Sequence, residues 1–233
     1  MSRPSAPPSP PRLSVVIPTL DAAGDLATTL APLAAAPVAE IVVVDGGSRD
    51  GTPALAAKLG CRVIEAPQGR GRQLAAGAAA ATGDWLLFLH ADTRLAPDWA
   101  AAAARFMADP ESAARAAVFR FRLDDDARLA RLLEAIVRLR VRVLGLAYGD
   151  QGLLLSRACH DRLGGFRPLE IMEDVDLIRR IGRRRLVQLG PTATTSAARY
   201  RRDGYGARMV RNAVCVGLFF AGVAPAVIAR IYR

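Results

Sequence analysis

The sequence has very little lysine, few aromatic residues and few cysteines, and each shortage narrows the possible functions. Lys58 is the only lysine, so arginine carries almost all of the positive charge. The three cysteines, Cys61, Cys159 and Cys215, are odd in number and show no C-x-x-C spacing. They indicate neither a zinc site nor a disulfide framework, and cytoplasmic thiols are expected. No basic patch interleaved with aromatic residues is present, which argues against a nucleic-acid partner.

Two further absences concern targeting and cofactor class. Residues 1–12 are rich in proline and serine and lack the apolar core of a signal peptide, so we expect a disordered lead-in to a cytoplasmic protein. No G-x-G-x-x-G motif follows the first apolar run, which argues against a dinucleotide-dependent oxidoreductase.

The net charge of +10 is unevenly distributed along the chain. Residues 1–100 carry eight basic and nine acidic residues, whereas the remainder carries 24 and 13. A basic surface of this kind suits anionic lipid or a phosphorylated substrate. The heavy use of arginine and alanine is also consistent with genomic base composition, so charge alone does not decide the partner.

Apolar runs alternate with helix-like segments through the first half of the chain. Strands are predicted near residues 13–17, 40–44, 61–65 and 84–89. Helices over 21–35 and 53–59, and a loop that runs into a helix over 68–81, lie between them. This alternation predicts an α/β fold with a mostly parallel sheet flanked by helices. Ligands bind beyond the carboxyl ends of such strands, where the following residues lie: Asp21, Asp45, Arg70, Arg72 and Asp92.

The second half is less regular. It predicts a strand over 116–123, a long arginine-rich helix over 127–146, a turn and strand over 149–156, a helix over 172–181 and a strand over 184–189. We divide the chain into a domain over 13–190, with halves 13–115 and 116–190, and a helical, apolar C-terminal extension over 191–233.

Asp45 follows an apolar strand and precedes a Gly-Gly-Ser turn. A carboxylate in this position accepts hydrogen bonds from a base or ribose, while Gly46 and Gly47 let backbone N–H groups approach a ligand. Ser48 and Asp50 would cap the next helix. The alternative is that this segment only connects a strand to a capped helix and binds no ligand.

Arg70 and Arg72 lie in a glycine-flanked segment before a helix, which suits a diphosphate. The alternative is that both are solvated surface arginines.

Taken together, three motifs resemble glycosyltransferase family 2, the inverting enzymes with a GT-A fold, over about residues 13–180. They are Pro18-Thr19-Leu20, the Asp45 turn continuing into Asp50-Gly51-Thr52, and Phe88-Leu89-His90-Ala91-Asp92. A closer resemblance is to a small bacterial subgroup that neighbours radical-SAM genes and is annotated for arsenosugar biosynthesis. It rests on the segments that begin at Gly69, Leu89, Gly149 and Met172.

The resemblance implies a Rossmann-like nucleotide-binding half that holds a nucleotide-diphosphate sugar, with a UDP-sugar the first expectation. Pro18, Thr19 and Asp45 would contact base and ribose. His90-Ala91-Asp92 matches the metal-binding Asp-x-Asp motif, with histidine replacing the first aspartate. Ala91 and Asp92 would then contact the donor, and Asp92 would also bind a Mg or Mn ion. His90 would bind the metal, contact a phosphate or pack at the strand end.

The resemblance also assigns the acceptor side of the reaction. Glu173 and Asp174 match the acidic pair that contains the base, and we prefer Asp174. The alternative is that both are acids stabilised at a helix N-terminus. Asp150 and Gln151 would line the pocket of a small-molecule or lipid-linked acceptor.

The apolar stretch over 213–229 is interrupted by Gly217, Gly222 and Pro225. It predicts a buried or self-associating helix, a helix on the inner membrane surface, or a short span. The rival functions are a sugar-phosphate nucleotidyltransferase and a non-catalytic, membrane-associated nucleotide-binding scaffold.

Overall fold

The computed structural model describes residues 11–232, so most of the predicted lead-in lies outside the described residues. The first half alternates strands and helices: β1 (Leu13–Thr19), α1 (Ala23–Ala34), β2 (Glu40–Asp45), α2 (Thr52–Lys58), β3 (Arg62–Glu65), α3 (Arg70–Ala80) and β4 (Trp85–Phe88). These strands pair in parallel in the order β3-β2-β1-β4. Their carboxyl ends therefore meet at one edge, as predicted.

The second half adds a mixed sheet to this parallel unit. Its elements are β5 (Thr93–Leu95), α4 (Trp99–Ala108), β6 (Ala116–Leu123), α5 (Arg128–Leu144), β7 (Leu153–Ser156), α6 (Arg157–Arg162), α7 (Glu173–Ile181), β8 (Leu186–Thr195), α8 (Ala198–Asp203), α9 (Tyr205–Phe220) and α10 (Pro225–Tyr232). Strand β7 runs antiparallel to both β4 and β6, while β6 and β8 are parallel. The result is one eight-stranded sheet in the order β3-β2-β1-β4-β7-β6-β8-β5.

The sheet is buried on both faces because apolar residues fill both sides of its central strands. In β1, Val15 and Ile17 face one core and Val16 faces the other. Helix α3 packs closely on the second face, since a Cβ on Gly77 would lie 2.3 Å from the side chain of Val16. This close approach places the N-terminus of α3 beside the ends of β1 and β2.

Several elements of the second half differ from the sequence predictions, and β5 and α6 are among those not predicted. Helix α4 was not predicted, although Trp99, Ala102, Ala103 and Phe106 bury one face at helical spacing. Strand β8 is longer than predicted and continues past Gly190 and Pro191 to Thr195. Its register with β6 shifts there, so an irregularity in the pairing accommodates a proline that lacks an N–H donor. The strand therefore crosses the predicted boundary between the domain over 13–190 and the C-terminal extension over 191–233.

The apolar stretch over 213–229 forms parts of two helices rather than one. Helix α9 ends at Phe220, Gly222 adopts a φ of 84°, and α10 starts at Pro225. Cys215, Ile228 and Ala229 bury against the start of α7. Within residues 11–232, no helix combines the length and hydropathy needed to cross a bilayer.

Candidate functional site

A cleft of about 510 Å³ opens at the carboxyl edge of the parallel strands, beside the N-terminus of α3. Eight of the residues predicted to bind donor or metal line this cleft: Pro18, Thr19, Asp21, Arg70, Arg72, His90, Ala91 and Asp92. They come from the end of β1 with the loop after it, from the first turn of α3 and from the segment after β4, which the sheet topology brings to one place. The cleft is therefore the candidate donor site.

The Asp45 turn lies behind this cleft, and Asp45, Gly46, Gly47 and Ser48 are not among its lining residues. The carboxylate of Asp45 is 2% exposed and accepts hydrogen bonds from the N–H groups of Gly47 and Ser48 at 2.9 and 2.8 Å. It also accepts from the hydroxyls of Thr19 and Ser48. Burial alone would raise the pKa of Asp45, but these hydrogen bonds hold it below the usual range. Asp45 shapes the turn rather than facing the cleft.

Ser48 does not cap α2, contrary to the sequence prediction. Its hydroxyl accepts a hydrogen bond from the N–H of Asp21 at 2.9 Å, while Asp21 accepts from the N–H of Arg49 at 2.7 Å. Asp50 does accept from the N–H of Thr52, the first residue of the helix, at 3.0 Å. The turn after β2 thus fixes the loop after β1, which carries the residues of the cleft.

Gln73 joins α3 to both of these strand ends. Its side-chain amide is buried and donates to the carbonyl oxygens of Thr19 and Val44, both at 2.8 Å. Two satisfied donors on one buried amide hold the loop after β1 at a fixed distance from α3.

Positive charge converges on the cleft from two helices. Arg70 and Arg72 occupy the first turn of α3, where backbone N–H groups lack helical partners and favour an anion. Arg199 of α8 lines the same cleft and was not predicted as a site residue. The guanidinium of Arg70 lies 2.9 Å from the fully buried carboxylate of Glu173. Burial raises the pKa of Glu173, against the opposing effect of Arg70.

A second cavity of about 120 Å³ adjoins the cleft, and the two share Arg70, His90 and Asp92. Asp174 lines the smaller cavity at the start of α7. Its carboxylate accepts hydrogen bonds from the N–H of Gly149 at 2.8 Å and from the N–H of Val175 at 2.7 Å. This carboxylate and the ring of His90 both lie beside Gly149, since a Cβ there would be 3.4 Å from Oδ2 of Asp174 and 2.5 Å from Nε2 of His90. A carboxylate fixed in this way suits a general base.

The ring of His90 packs against the backbone at Gly149. A Cβ at position 149 would lie 2.5 Å from Nε2 of His90, so only glycine permits this approach. Burial, together with the nearby charge of Arg70, lowers the pKa of His90 to about 4. His90 is therefore a neutral imidazole at the wall between the two cavities.

The two predicted acceptor residues have different environments. Asp150 lines the smaller cavity, and one of its carboxylate oxygens is buried without a hydrogen-bond partner in the described chain. Burial raises its pKa to about 6. Gln151 does not line the cavity, contrary to prediction, because it is fully buried and donates to the carbonyl oxygen of Phe119 at 3.0 Å.

The smaller cavity also contains residues that the sequence analysis missed. Tyr148, Tyr200 and Tyr232 line it, together with Arg208 and Asn212 of α9. The chain has four tyrosines in all, so three of them converge on one cavity. Because tyrosine is so rare in this chain, its positions could have been identified from the sequence as candidate site residues. Nothing in the sequence distinguishes Arg199 from the many other arginines.

The side chains available as metal ligands limit the kind of metal site that is possible here. Among the described residues, no group of three or more His, Cys, Asp or Glu side chains is arranged to hold a metal ion. Asp92 and His90 offer one carboxylate and one neutral imidazole at the cleft. These two side chains fit an ion whose remaining ligands are phosphate oxygens and water.

Comparisons with known proteins bear on the family and the fold. The family model described as Glycosyl transferase family 2 matches residues 14–170, more than half of the chain. No curated protein matches the chain in sequence. The crystal structure of S. aureus TarS 1–349 is similar with a TM-score of 0.65 and 17% identity, covering 95% of this chain and 69% of that chain.

Two crystal structures of glucosyl-3-phosphoglycerate synthase from Mycobacterium tuberculosis are also similar. One contains Mn²⁺ and UDP-glucose, and the other contains phosphoglyceric acid as well. Each has a TM-score of 0.62 and 24% identity, and covers 91% of this chain and 80% of that chain. These likenesses confirm the predicted α/β fold of GT-A type.

Proposed function

The chain belongs to glycosyl transferase family 2, and we propose that it moves a sugar from a nucleotide-diphosphate sugar to an acceptor hydroxyl with inversion. One observation carries this proposal. A large cleft and a small cavity meet at Arg70, His90 and Asp92, with the anchored carboxylate of Asp174 beside the junction. Donor and acceptor would occupy the two spaces and react where they join.

The donor would lie along the cleft, with its nucleotide toward Pro18, Thr19 and Asp21. The Asp45 turn supports that loop from behind and leaves the cleft free. A UDP-sugar is the first candidate, because the mycobacterial synthase of similar fold was crystallised with UDP-glucose. The identity of the sugar depends on a few hydroxyl contacts within the cleft.

The diphosphate would lie at the N-terminus of α3, between Arg70, Arg72 and Arg199. These guanidiniums stabilise the negative charge that builds on the leaving diphosphate as the sugar departs. Asp92, with His90 beside it, would hold a divalent ion, Mn or Mg, which lowers the charge cost of the leaving group when bound. The synthase of similar fold was crystallised with Mn²⁺.

Asp174 would act as the base. As the acceptor oxygen bonds to the anomeric carbon, its proton passes to the Asp174 carboxylate, and the carbon–oxygen bond to the diphosphate breaks with its electron pair on the phosphate oxygen. A single displacement of this kind inverts the anomeric centre. Glu173 is the weaker candidate, since its carboxylate is fully buried and paired with Arg70.

The acceptor would present its hydroxyl from the smaller cavity, which suits a small molecule or the head group of a lipid-linked acceptor. Tyr148, Tyr200 and Tyr232 offer apolar ring surface with polar ends. Asp150 also lines the cavity, and one of its carboxylate oxygens has no hydrogen-bond partner among residues 11–232. The segments beginning at Gly69, Leu89, Gly149 and Met172 support a place in the subgroup that neighbours radical-SAM genes. We place the reaction in the cytoplasm, where nucleotide sugars are available.

A thermal-shift panel of nucleotide sugars, with and without manganese, tests the donor. A specific donor stabilises the fold by mass action, and we expect a larger shift with manganese present. Release of pyrophosphate from a nucleoside triphosphate would instead indicate a sugar-phosphate nucleotidyltransferase. Failure of every nucleotide sugar to bind would favour the non-catalytic scaffold.

Transfer by Asp174→Asn tests the base. We expect kcat to fall by about 10²–10⁴-fold, the usual contribution of a positioned base, with the donor-induced thermal shift retained. Full transfer activity in a folded Asp174→Asn protein would contradict the assignment.

A further inference from the structure

Helix α5 has two apolar faces, and within residues 11–232 only one of them is packed. Ala130, Leu133, Val137 and Val141 bury on the inner face. On the outer side, five large apolar side chains are 43% to 62% exposed: Leu129, Leu132, Ile136, Leu139 and Val143. A contiguous exposed row of this kind marks an interaction surface, whereas scattered single apolar residues do not.

The five outer residues follow one another at intervals of three and four positions. At about 3.6 residues per turn this spacing forms one straight stripe, roughly 80° wide, along a helix about 25 Å long. We call these five residues the outer stripe. Leu144, at the end of the helix, is also exposed.

Positive charge borders the outer stripe. The helix contains five arginines and one glutamate. Arg128, Arg138 and Arg142 are exposed beside the stripe. The only acid, Glu134, is already bound, since it accepts hydrogen bonds from the Arg131 side chain and from the N–H of Leu123. The exposed side of the helix is therefore apolar and cationic, with no free acid.

A second arginine cluster adjoins the end of α5. Arg183, Arg184 and Arg185 form an exposed turn. The side chain of Arg183 donates to the carbonyl oxygen of Arg142 at 3.3 Å and packs on Gly145. The charge along α5 thus continues onto the neighbouring segment.

The charge around the outer stripe distinguishes two possible partners, a second copy of this chain and an anionic membrane. A second copy of this chain would place the arginines of one α5 against those of the other, and the helix itself has no free acid to compensate them. The exposed acids Asp124 and Asp126 lie before its first residue, outside the outer stripe. An anionic bilayer offers an apolar layer for the stripe and phosphates for the arginines. We propose that α5 lies flat on an anionic membrane surface, with the outer stripe at the boundary between head groups and acyl chains.

This placement would bring the smaller cavity close to the bilayer. Arg140 of α5 stacks on the ring of Tyr148 at 3.5 Å, and Tyr148 and Asp150 line that cavity. The surface differs from the one expected from the sequence, which lay in the C-terminal helices. The proposed membrane contact does not depend on the transferase activity, because it rests only on the exposure and charge of α5.

Flotation with vesicles of phosphatidylcholine, with and without about 30% phosphatidylglycerol, tests the proposal. We expect the wild-type protein to float with the anionic vesicles and not with the neutral ones, because both stripe and arginines are needed. The triple variant Leu132→Gln/Ile136→Gln/Leu139→Gln should bind the anionic vesicles at least about tenfold more weakly. Circular dichroism would verify that this variant, altered only at exposed positions, remains folded.

Matched variants locate the surface and its charge dependence. Val227→Gln/Ile231→Gln removes two exposed apolar residues from α10 and should leave vesicle binding unchanged. Arg138→Gln/Arg142→Gln should weaken binding by about fivefold for each charge at low salt, and by less as salt increases.

A fluorescent label reports insertion without removing the stripe. The native cysteines are buried, so Leu139→Cys can be labelled selectively with an environment-sensitive dye. Its emission should shift to the blue with anionic vesicles only.

Four outcomes would overturn the proposal. The first three are that the wild-type protein does not float, that the triple variant floats equally well, and that the label remains in water. In the fourth, a wild-type dimer would become monomeric in the triple variant without any vesicle binding, which would identify a second copy as the occupant.

Discussion

The guanidinium of Arg70 lies 2.9 Å from the carboxylate of Glu173, and Glu173 is fully buried while Arg70 reaches the cleft. The pair connects the first turn of α3 to the first turn of α7. The carboxylate of Asp174 lines the cavity next door, so adjacent acids have different environments. Because the two environments differ, replacing Glu173 and replacing Asp174 should have different consequences.

Glu173→Gln should weaken donor binding more than it slows the chemical step. Loss of the carboxylate releases the guanidinium of Arg70, which lines the cleft, from the position that it holds. The unfolding free energy should change little near pH 7, because burial already raises the pKa of Glu173 and so opposes its ionised form. Donor KM should rise with a small change in kcat. Steady-state kinetics and urea unfolding measure both effects. A loss of kcat comparable to that of Asp174→Asn, at unchanged stability, would transfer the role of base to Glu173.

Gly149→Ala should impair activity by displacing His90. The new Cβ would lie 2.5 Å from Nε2 of His90, and crowding of this kind costs about 1–3 kcal/mol. Gly217→Ala is the matched control, because nothing lies within 4 Å of a Cβ there and α9 should gain about 0.5–1 kcal/mol. We expect transfer to fall only in the first variant. Equal activity in both would show that the packing of His90 on Gly149 is dispensable.

The sequence was sufficient to predict the parallel half of the sheet because each strand there is a short apolar run with a turn at its end. It placed Arg70, Arg72 and Asp92 at one edge for the same reason. It could not show that Asp45 faces its own turn, since a carboxylate after a strand fits a ligand or a backbone turn equally well. Arg199 and Arg208 reach the cavities only because α8 and α9 pack against each other and against neighbouring helices, which no local pattern encodes.

Arg199→Ala should lower affinity for the donor diphosphate. Arg199 lines both the cleft and the cavity, so its loss removes one of three guanidiniums placed near the leaving group. A hydrogen bond to a charged group contributes about 1.5–3 kcal/mol, which corresponds to roughly a tenfold or greater loss of affinity. Titration calorimetry with UDP measures the change. Arg202→Ala, on the same helix but exposed, is the control and should bind UDP normally.

Asp150→Asn should change the pH dependence of stability. Burial raises the pKa of Asp150 to about 6, with Asp174 and Asp92 adding to the shift and Arg140 and Arg70 opposing it. A carboxyl whose pKa is raised on folding contributes most below its unfolded pKa of about 4, and this contribution is lost as the pH rises through 6. Wild type and variant should therefore be similarly stable near pH 4.

The variant should become the more stable protein above pH 6, because asparagine cannot acquire a buried charge. A shift of about two units corresponds to about 2.7 kcal/mol, and partial exposure of the side chain reduces the expected gain to about 1–2 kcal/mol. Urea unfolding between pH 4 and pH 8 measures the difference. A difference that is constant over this range would mean that Asp150 keeps an ordinary pKa, and that the unpartnered oxygen in the cavity is hydrated.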